Sequence, residues 1–441
     1  MFRLPHTILL LGLRSCSHPA PVDSDADTDT DTDTDADADT DTDTDTDDRP
    51  PCAESVIDDD VRMDDWRQID VDSMWCVTEI TGTVWMLDNE DVRNLDGLSA
   101  LTRIGGGLYL MDDQRLKNLD GLGALTSVGD FMYVDSNPSL ADIHGLRLLE
   151  SVGDPLNFGG NPSLESLDGL DSLTTINGTL WVERTQFADL AGLVALRSVD
   201  EVWLDTNGRL QDVSKLNDFG VSSLLVNDNS VLTDIDIVSD GLTSASINSN
   251  PALTSVRLET SRTIAIGLQD NPVLESLVLD GAQSAGKFEL IGNPALTTLS
   301  APALETVDQS LYVDTTAVLR LDGFPALTSV GDSLQIANCL SMESMDFPAL
   351  ASVDGDVSLR MDSSLLDLSG LGAVEEVGGD LLVYYDGGLV DLGLRSLTSV
   401  GASVGIHDNS LLCPTRVDDL VAKLTSGPTS VTNSGNAGVC P

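Results

Sequence analysis

Basic residues are scarce in this chain of 441 residues, where 22 lysines and arginines stand against 73 aspartates and glutamates and give a formal net charge of −51. Nucleic-acid binding needs a basic surface that displaces counterions from phosphates, so this charge argues against that function. No apolar run reaches the ~18 residues of a membrane-spanning helix. Aromatic residues amount to only 4% of the chain, so the positions of those present are informative.

The N-terminal residues predict export. A charged start, a short apolar stretch and a small residue describe a signal peptide over residues 1–15. The cysteine that follows resembles the lipobox of bacterial lipoproteins, with Leu13 at the usual leucine position, although Arg14 departs from that pattern. The resemblance implies a lipid on Cys16 and anchoring to the bacterial outer membrane, at the cell surface. The alternative is ordinary secretion, with Cys16 removed together with the signal.

Residues 16–50 form the predicted lipid-anchor site and a tether. Between Asp23 and Asp48, aspartate alternates with threonine or alanine almost strictly. Such a segment has no apolar surface to bury and repels itself, so we expect it to stay extended as a disordered spacer. Calcium-binding loops share the Asp-x-Asp-x-Asp pattern, but they also need a turn glycine and a later glutamate, which this segment lacks.

Residues 80–412 are one repeat, whose pattern is clearest in LDGLGALTSVGDFMYVDSNPSL at 119–140. A period of 21 to 24 residues predicts a solenoid, in which each coil buries its apolar side by stacking on the next. Short apolar alternations without a ten-residue helical pattern predict a β-rich coil. The buried strand position of each coil is expected at Met86, Leu110, Val134, Phe158, Val182, Leu204, Val226, Ile247, Leu268, Leu290, Val313, Ile336, Leu359, Val383 and Ile406.

An asparagine follows three residues after most of these positions. Stacked side-chain amides there would satisfy backbone groups at a tight inward bend. Cys339 falls in the same column, where leucine-rich repeats accept asparagine or cysteine, so we interpret it as a buried ladder residue and not as a nucleophile. The asparagines are Asn89, Asn137, Asn161, Asn207, Asn229, Asn250, Asn271, Asn293 and Asn409.

The repeated L-x-G-L-x-x-L-T-S-V-G-x-x-L-x-V-x-x-N-P-x-L resembles the receptor L domain, a leucine-rich-like module of the insulin and epidermal growth factor receptors. Bacterial surface lipoproteins carry similar repeats. The resemblance covers about residues 80–412 and implies a right-handed β-helix or leucine-rich-repeat-like solenoid. It also implies a protein ligand on the sheet face, without catalysis. The chain lacks the cysteine-rich modules of those receptors, so a hormone-receptor role does not carry over.

Four cysteines flank the repeat, two on either side. A solenoid must seal its apolar ends, and an exported chain can do so with disulfides. Apolar residues at helical spacing over 417–424 predict a short capping helix. Other pairings remain formally open, but we expect disulfides in an N-terminal cap (51–79) and a C-terminal cap (413–441): Cys52–Cys76 and Cys413–Cys440.

Support for an enzyme is thin. Only four histidines are present, and none pairs with another at metal-ligand spacing. The stretch 401–405 matches the Gly-x-Ser-x-Gly nucleophile elbow, but it keeps the phase of the repeat and leads into a strand where the elbow needs a helix. Acid pairs of the glycosidase kind are not excluded by counting in so acidic a chain. We expect no catalytic residue, metal or cofactor.

The aromatic residues point to a binding face. Side chains alternate across a strand, so the residue before each buried strand position should point outward. Six of the ten tryptophans and tyrosines lie in that column, and five of them would stack about 5 Å apart as an exposed patch typical of interaction sites. Ordinary cross-strand packing and coverage by segment 58–74 stay open as alternatives. We call these five residues the aromatic stripe: Trp85, Tyr109, Tyr133, Trp181 and Trp203.

The sequence therefore predicts a non-enzymatic surface lipoprotein that binds an unknown extracellular protein or glycan through the aromatic stripe. Its contact with the membrane would be the lipid anchor alone. The alternative is a structural spacer of the cell envelope without a specific ligand.

Overall fold

Residues 55–63 and 66–440 are described by the computed structural model. The predicted signal peptide, Cys16, the tether and Cys52 lie outside these residues. Within them the chain is a parallel β-solenoid, as the repeat predicts. Fourteen parallel pairings join the fifteen expected strand positions in order, from Met86 beside Leu110 to Val383 beside Ile406. All fifteen side chains are buried.

Each coil contributes one strand to a parallel sheet that continues through all the coils, which we call the long-strand sheet. Pairing stays in register throughout, apart from one shift beside Ile264. Its strands are Val61–Arg62, Val84–Leu87, Leu108–Met111, Met132–Asp135, Leu156–Gly159, Thr179–Glu183, Glu201–Asp205, Ser223–Asn227, Ser244–Asn248, Ile264–Gln269, Ser284–Asn293, Leu311–Thr316, Leu334–Ala337, Val357–Arg360, Leu381–Tyr384, Ser403–His407 and Ser430–Thr432.

Two-residue strands precede the long strand in most coils and pair in the same parallel manner. In the N-terminal coils they are Val56–Ile57, Glu79–Ile80, Arg103–Ile104, Ser127–Val128, Ser151–Val152 and Thr175–Ile176. In the C-terminal coils they are Thr306–Val307, Ser329–Val330, Ser352–Val353, Glu376–Val377 and Ser399–Val400.

The middle coils contain a third parallel sheet that the repeat pattern did not predict. Its strands alternate buried apolar and exposed polar residues, as in Asp234-Ile-Asp-Ile-Val238, which is the period of a half-buried strand. It consists of Asp234–Val238, Ser255–Glu259, Ser276–Asp280 and Thr298–Ser300, and a further pair is formed by Arg320–Leu321 and Ser344–Met345.

Corners in the other coils are formed by short 3-10 helices at the Leu-x-Gly-Leu pattern. They are Asp96–Leu98, Asp120–Leu122, His144–Leu146 and Ser369–Leu371, and a further 3-10 helix without the glycine is Ser214–Asp218. An ideal Cβ on Gly121 would lie 1.8 Å from the carbonyl oxygen of Leu95 in the preceding coil. Only glycine permits that approach, which explains why the corner repeats it.

The ends of the solenoid differ from the coils between them. At the C-terminal end, the predicted helix is present as Pro414–Lys423 with Val417 and Leu420 buried, and Cys413 and Cys440 form the predicted disulfide. Cys76 is disulfide-bonded as well, and its predicted partner lies outside the described residues.

The predicted N-terminal cap is a further coil of the solenoid. Val61–Arg62 pairs in parallel with Val84–Trp85, and the helix Gln68–Asp72 packs beside the corner Asp96–Leu98. The described part of segment 58–74 therefore extends the long-strand sheet. The backbone of this segment is engaged in edge pairing and does not fold back over the sheet face, so the expected coverage is limited to Trp85, over which the Arg62 side chain lies.

Candidate ligand-binding face

The five residues of the aromatic stripe lie on the outward side of the long-strand sheet. Trp85, Tyr109 and Tyr133 are paired in consecutive coils, and Trp181 pairs with Trp203. All five are half-buried. The position of each ring follows from strand alternation, since the neighbours on both sides along the chain are buried in the core.

The rings of the first three coils stack on one another. Trp85 and Tyr109 have centroids 6.3 Å apart, and Tyr109 and Tyr133 have centroids 5.2 Å apart, with interplanar angles of 17° and 15°. Much of each ring face is thus covered by its neighbour, and burial raises the pKa of the Tyr109 and Tyr133 hydroxyls. The expected exposed stripe is therefore a half-buried stack.

Phe131 joins this stack and did not stand out in the sequence. Its ring lies 4.6 Å from Tyr109 and 5.7 Å from Tyr133, and its ring atoms occupy the space that a side chain at position 107 would take, where glycine leaves room. The available signal was its position two residues before Tyr133, on the same side of the strand.

Trp181 and Trp203 form a separate pair. Their centroids are 5.4 Å apart at an angle of 63°, so one ring edge meets the other ring. The indole Nε1 of Trp203 donates to Glu201 Oε2 at 3.1 Å. This pair is oriented differently from the stack of the first three coils.

Arg62 covers the first ring of the stripe. Its guanidinium carbon lies 4.7 Å from the ring centre of Trp85, at the registered position of the preceding strand. This is the geometry of a cation–π contact.

Asn157 separates the two aromatic groups. It is paired with Tyr133 on one side and Trp181 on the other, and it is only 1% exposed. Its Oδ1 has no hydrogen-bond partner. A buried acceptor without a donor costs about 1–3 kcal/mol, so this position is a local defect of the sheet, as is Asn248 in a later strand, whose Oδ1 also lacks a partner.

Carboxylates border the stripe two residues further along the strands. The side chains of Asp135 and Glu183 approach each other over Gly159, where an added Cβ would lie 2.3 Å from Asp135 Oδ2 and 3.1 Å from Glu183 Cγ. Arg184 Nη2 lies 2.5 Å from Glu183 Oε1 and 3.8 Å from Asp135 Oδ2. Burial raises the pKa of Glu183, the nearby Arg184 opposes that rise, and the charges of Asp135 and Asp205 add to it.

A second polar and aromatic cluster lies on the same sheet face in the C-terminal coils. Tyr312 donates its hydroxyl to Asp314 Oδ2 at 2.6 Å, and Arg360 Nη2 is 3.9 Å from the same oxygen. Tyr384 stacks on His407 with centroids 5.3 Å apart. Burial opposes ionisation of Asp314, yet the hydrogen bonds that it accepts keep its pKa below the usual value. Tyr312 is the sixth tryptophan or tyrosine of the outward column, and the other members of this cluster did not stand out as binding residues in the sequence.

The two residues weighed as candidate nucleophiles both have structural roles in the repeat. Ser403 begins the strand Ser403–His407 and donates to Asp380 Oδ1 at 2.6 Å, so the Gly-x-Ser-x-Gly match leads into a strand. Cys339 is buried in the asparagine column, where burial, with a smaller effect of Asp362, raises the pKa of its thiol to about 11. A thiol with that pKa stays protonated at neutral pH, which is unfavourable for a nucleophile.

In the described part of the chain, no group of three or more histidine, cysteine, aspartate or glutamate side chains is placed to hold a metal ion. None of the helices there combines the length and the apolar character that crossing a bilayer requires.

No protein-family model matches the chain, and no curated protein matches it in sequence. Two solved structures of leucine-rich-repeat proteins align with it. The functional domain of InlJ from Listeria monocytogenes, which includes a cysteine ladder, is 17% identical over 75% of this chain and 73% of that one, with a TM-score of 0.29. A TLR13–ssRNA13 complex is 12% identical over 85% and 80%, with a TM-score of 0.21. TM-scores this low carry no argument, and the solenoid fold is established by the strand pairing of the chain itself.

Proposed function

We propose that this chain is a non-enzymatic surface protein that binds a protein or glycan ligand through the aromatic stripe. One observation carries the proposal. Tryptophan and tyrosine occupy an outward column of five coils in register, whereas the largest fully buried side chains are phenylalanines. Polar-edged aromatic rings at a water boundary are the usual anchors of binding surfaces, because they combine apolar area with a hydrogen-bonding edge.

The half-buried stack is suited to ligand binding because its rings are already ordered. Rings that hold one another in place lose little rotational freedom when a ligand arrives, so less of the interaction energy is spent on ordering them. Export, a lipid on Cys16 and an outer-membrane location at the cell surface belong to the same proposal and rest on the N-terminal sequence. The tether would hold the stripe away from the membrane.

The test is capture of ligands from a cell-envelope extract and a glycan panel by the chain with its disulfides formed. We expect the Trp181→Ala/Trp203→Ala double variant to lose at least about thirtyfold in affinity, since even one anchor of this kind contributes about 2 kcal/mol or more and about 1.4 kcal/mol is tenfold. Leu225→Ala, in the same column of the next coil, is the matched control and should bind normally. Unchanged capture by a folded double variant would contradict the proposal.

A structural spacer of the cell envelope is the second candidate, because cross-strand packing alone would also produce the mutual stacking of Trp85, Tyr109 and Tyr133. A spacer would be indifferent to the tryptophan substitutions. Its phenotype would depend instead on the number of coils.

A further inference from the structure

We propose that the ligand of the aromatic stripe is a basic protein, whose arginine or lysine side chain binds over Asn157 between Tyr133 and Trp181. This inference rests on the function proposed above and gives the chemical class of the ligand. Three features of the described residues support it: two arginines of the chain itself that occupy this face, an acceptor that lacks a donor, and the charge around it.

The first feature is the position of Arg62. Its guanidinium lies 4.7 Å from the centre of the Trp85 ring, at the N-terminal end of the aromatic stripe. The chain thus already places one cation on the first ring of the stripe. A ligand cation would make the same type of contact with Tyr133 or Trp181, where Asn157 interrupts the aromatic column.

A second guanidinium beside the aromatic stripe belongs to Arg184. It bridges Glu183 and Asp135, the two carboxylates that meet over Gly159. Gly159 lies two residues after Asn157 on the same strand and the same side. The acids beside Asn157 therefore bind guanidinium in this structure, although one arginine neutralises only part of their charge.

The second feature is the acceptor that lacks a donor. Asn157 Oδ1 has no partner and is buried, so an arriving N–H donor would remove an existing penalty and not merely replace a bond to water. Because Asn157 is 1% exposed, side chains around it must shift before a donor can reach Oδ1. Rotations of partly exposed side chains are fast, so this step does not block binding.

The third feature is the negative charge around Asn157, which favours a cation over a neutral ligand. Five carboxylates border this part of the face and one arginine accompanies them: Asp112, Asp135, Glu183, Asp205 and Asp228, with Arg184. The net charge of −51 steers basic proteins toward the molecule and repels acidic ones. A neutral sugar could donate hydrogen bonds to Asn157 and to these carboxylates, but only a cation would also neutralise their charge.

The experiment measures binding of a fluorescent glycine–serine peptide with three arginines to the full chain, by anisotropy at 0.15 M NaCl. The same peptide with citrulline in place of arginine keeps the shape and loses the charge. Asn157→Leu and Glu183→Gln should each weaken binding of the arginine peptide about tenfold, or about 1.4 kcal/mol. Glu376→Gln makes the same charge change on an exposed strand residue away from the stripe and should stay within about twofold.

Equal binding of the arginine and citrulline peptides would overturn the assignment of a cation, and equal losses in Glu183→Gln and Glu376→Gln would overturn the site. Capture of a neutral glycan that depends on Trp181 and Trp203, without binding of the arginine peptide, would overturn this inference and leave the proposed function standing. Binding that ignores both tryptophans would overturn both. Asn157→Leu removes an unpaired acceptor, so we expect its fold to survive, and a thermal melt checks this.

Discussion

The asparagine column is a hydrogen-bonded ladder that connects successive coils. In the middle coils the backbone N–H of Asn229 donates to Asn250 Oδ1 at 3.0 Å, and Asn250 Nδ2 donates to the carbonyl of Val226 at 2.9 Å. Each amide thus accepts from one backbone group and donates to another, which satisfies both at a buried bend. The sequence-based prediction of a buried asparagine ladder is confirmed, and Cys339 lies in it.

Three aspartates stand in the same column and were not singled out from the sequence. Asp113, Asp362 and Asp386 are buried, and their Oδ1 atoms accept the same backbone bond as asparagine does. Their Oδ2 atoms have no partner, because they occupy the place of an amide nitrogen that donates in other coils. A protonated carboxyl would supply the missing hydrogen.

Burial accordingly raises the pKa of these carboxyls, to about 7 for Asp113, about 7 for Asp362 and about 6 for Asp386. The charge of Asp386 adds to the shift of Asp362, and those of Asp88 and Asp112 add to the shift of Asp113. The hydrogen bonds from backbone N–H groups act in the opposite direction. Desolvation prevails because both oxygens are removed from water.

We predict that the solenoid loses stability as the pH rises from about 4 to 8. The folded pKa values exceed the unfolded value, so the folded chain binds more protons in this range and the unfolding free energy falls with pH. Asp113→Asn and Asp362→Asn should each raise the unfolding free energy by about 1–3 kcal/mol at pH 8 and change it little at pH 4.5. Urea unfolding at the two pH values measures this.

Asp130→Asn provides the control, since Asp130 is exposed beside the same coils and its substitution should leave the pH dependence unchanged. The prediction would be contradicted by a column substitution whose effect on the unfolding free energy is the same at both pH values. Such a result would show that these carboxyls do not titrate between pH 4.5 and 8 in the folded chain.

The corners of the coils depend on close contact between backbones. Gly121 and Gly145 lie so near the preceding coil that an added Cβ would be 1.8 Å and 1.7 Å from carbonyl oxygens of Leu95 and Leu119. Backbone atoms cannot turn aside as a side chain does. A methyl group there must therefore separate two coils or distort the 3-10 helix.

We expect Gly121→Ala to lower the unfolding free energy by about 1–3 kcal/mol, the usual range for overpacking a tight site. Gly208→Ala is the matched substitution, because nothing lies within 4 Å of an added Cβ at that exposed turn. It should change stability by less than about 0.5 kcal/mol. Comparable losses in the two variants would mean that the corner spacing is not the cause.

The strands were easier to predict than the connections between them. The buried strand positions follow from apolar alternation and were correct in all fifteen coils. The third sheet was missed because strands such as Ser255–Glu259 occupy the place of a corner and are recognised only once neighbouring coils stack. The same limit applies to the face, where the stripe was predictable but Arg62 and the Glu183–Arg184–Asp135 contacts depend on side chains from different coils.

At the scale of the whole molecule, the net negative charge destabilises the folded state. A net charge of −51 means that folding brings many carboxylates closer together, and self-repulsion opposes the compact state. The described ion pairs, such as Arg103–Glu79 and Arg115–Asp91, are largely exposed and contribute little. Stability therefore comes from the continuous apolar core and from the ladder.

We predict that added salt stabilises the chain, in contrast to its effect on the binding of basic ligands. Raising NaCl from 0.02 M to 0.3 M shortens the screening length from roughly 20 Å to below 8 Å, which weakens repulsion between carboxylates on neighbouring coils. The melting temperature should rise by several degrees, while the affinity for the arginine peptide should fall, because both follow from the same acidic surface. A melting temperature that is unchanged or lower at high salt would show that the exposed ion pairs balance or outweigh the repulsion between carboxylates. The overall charge would then no longer support a basic protein as the ligand.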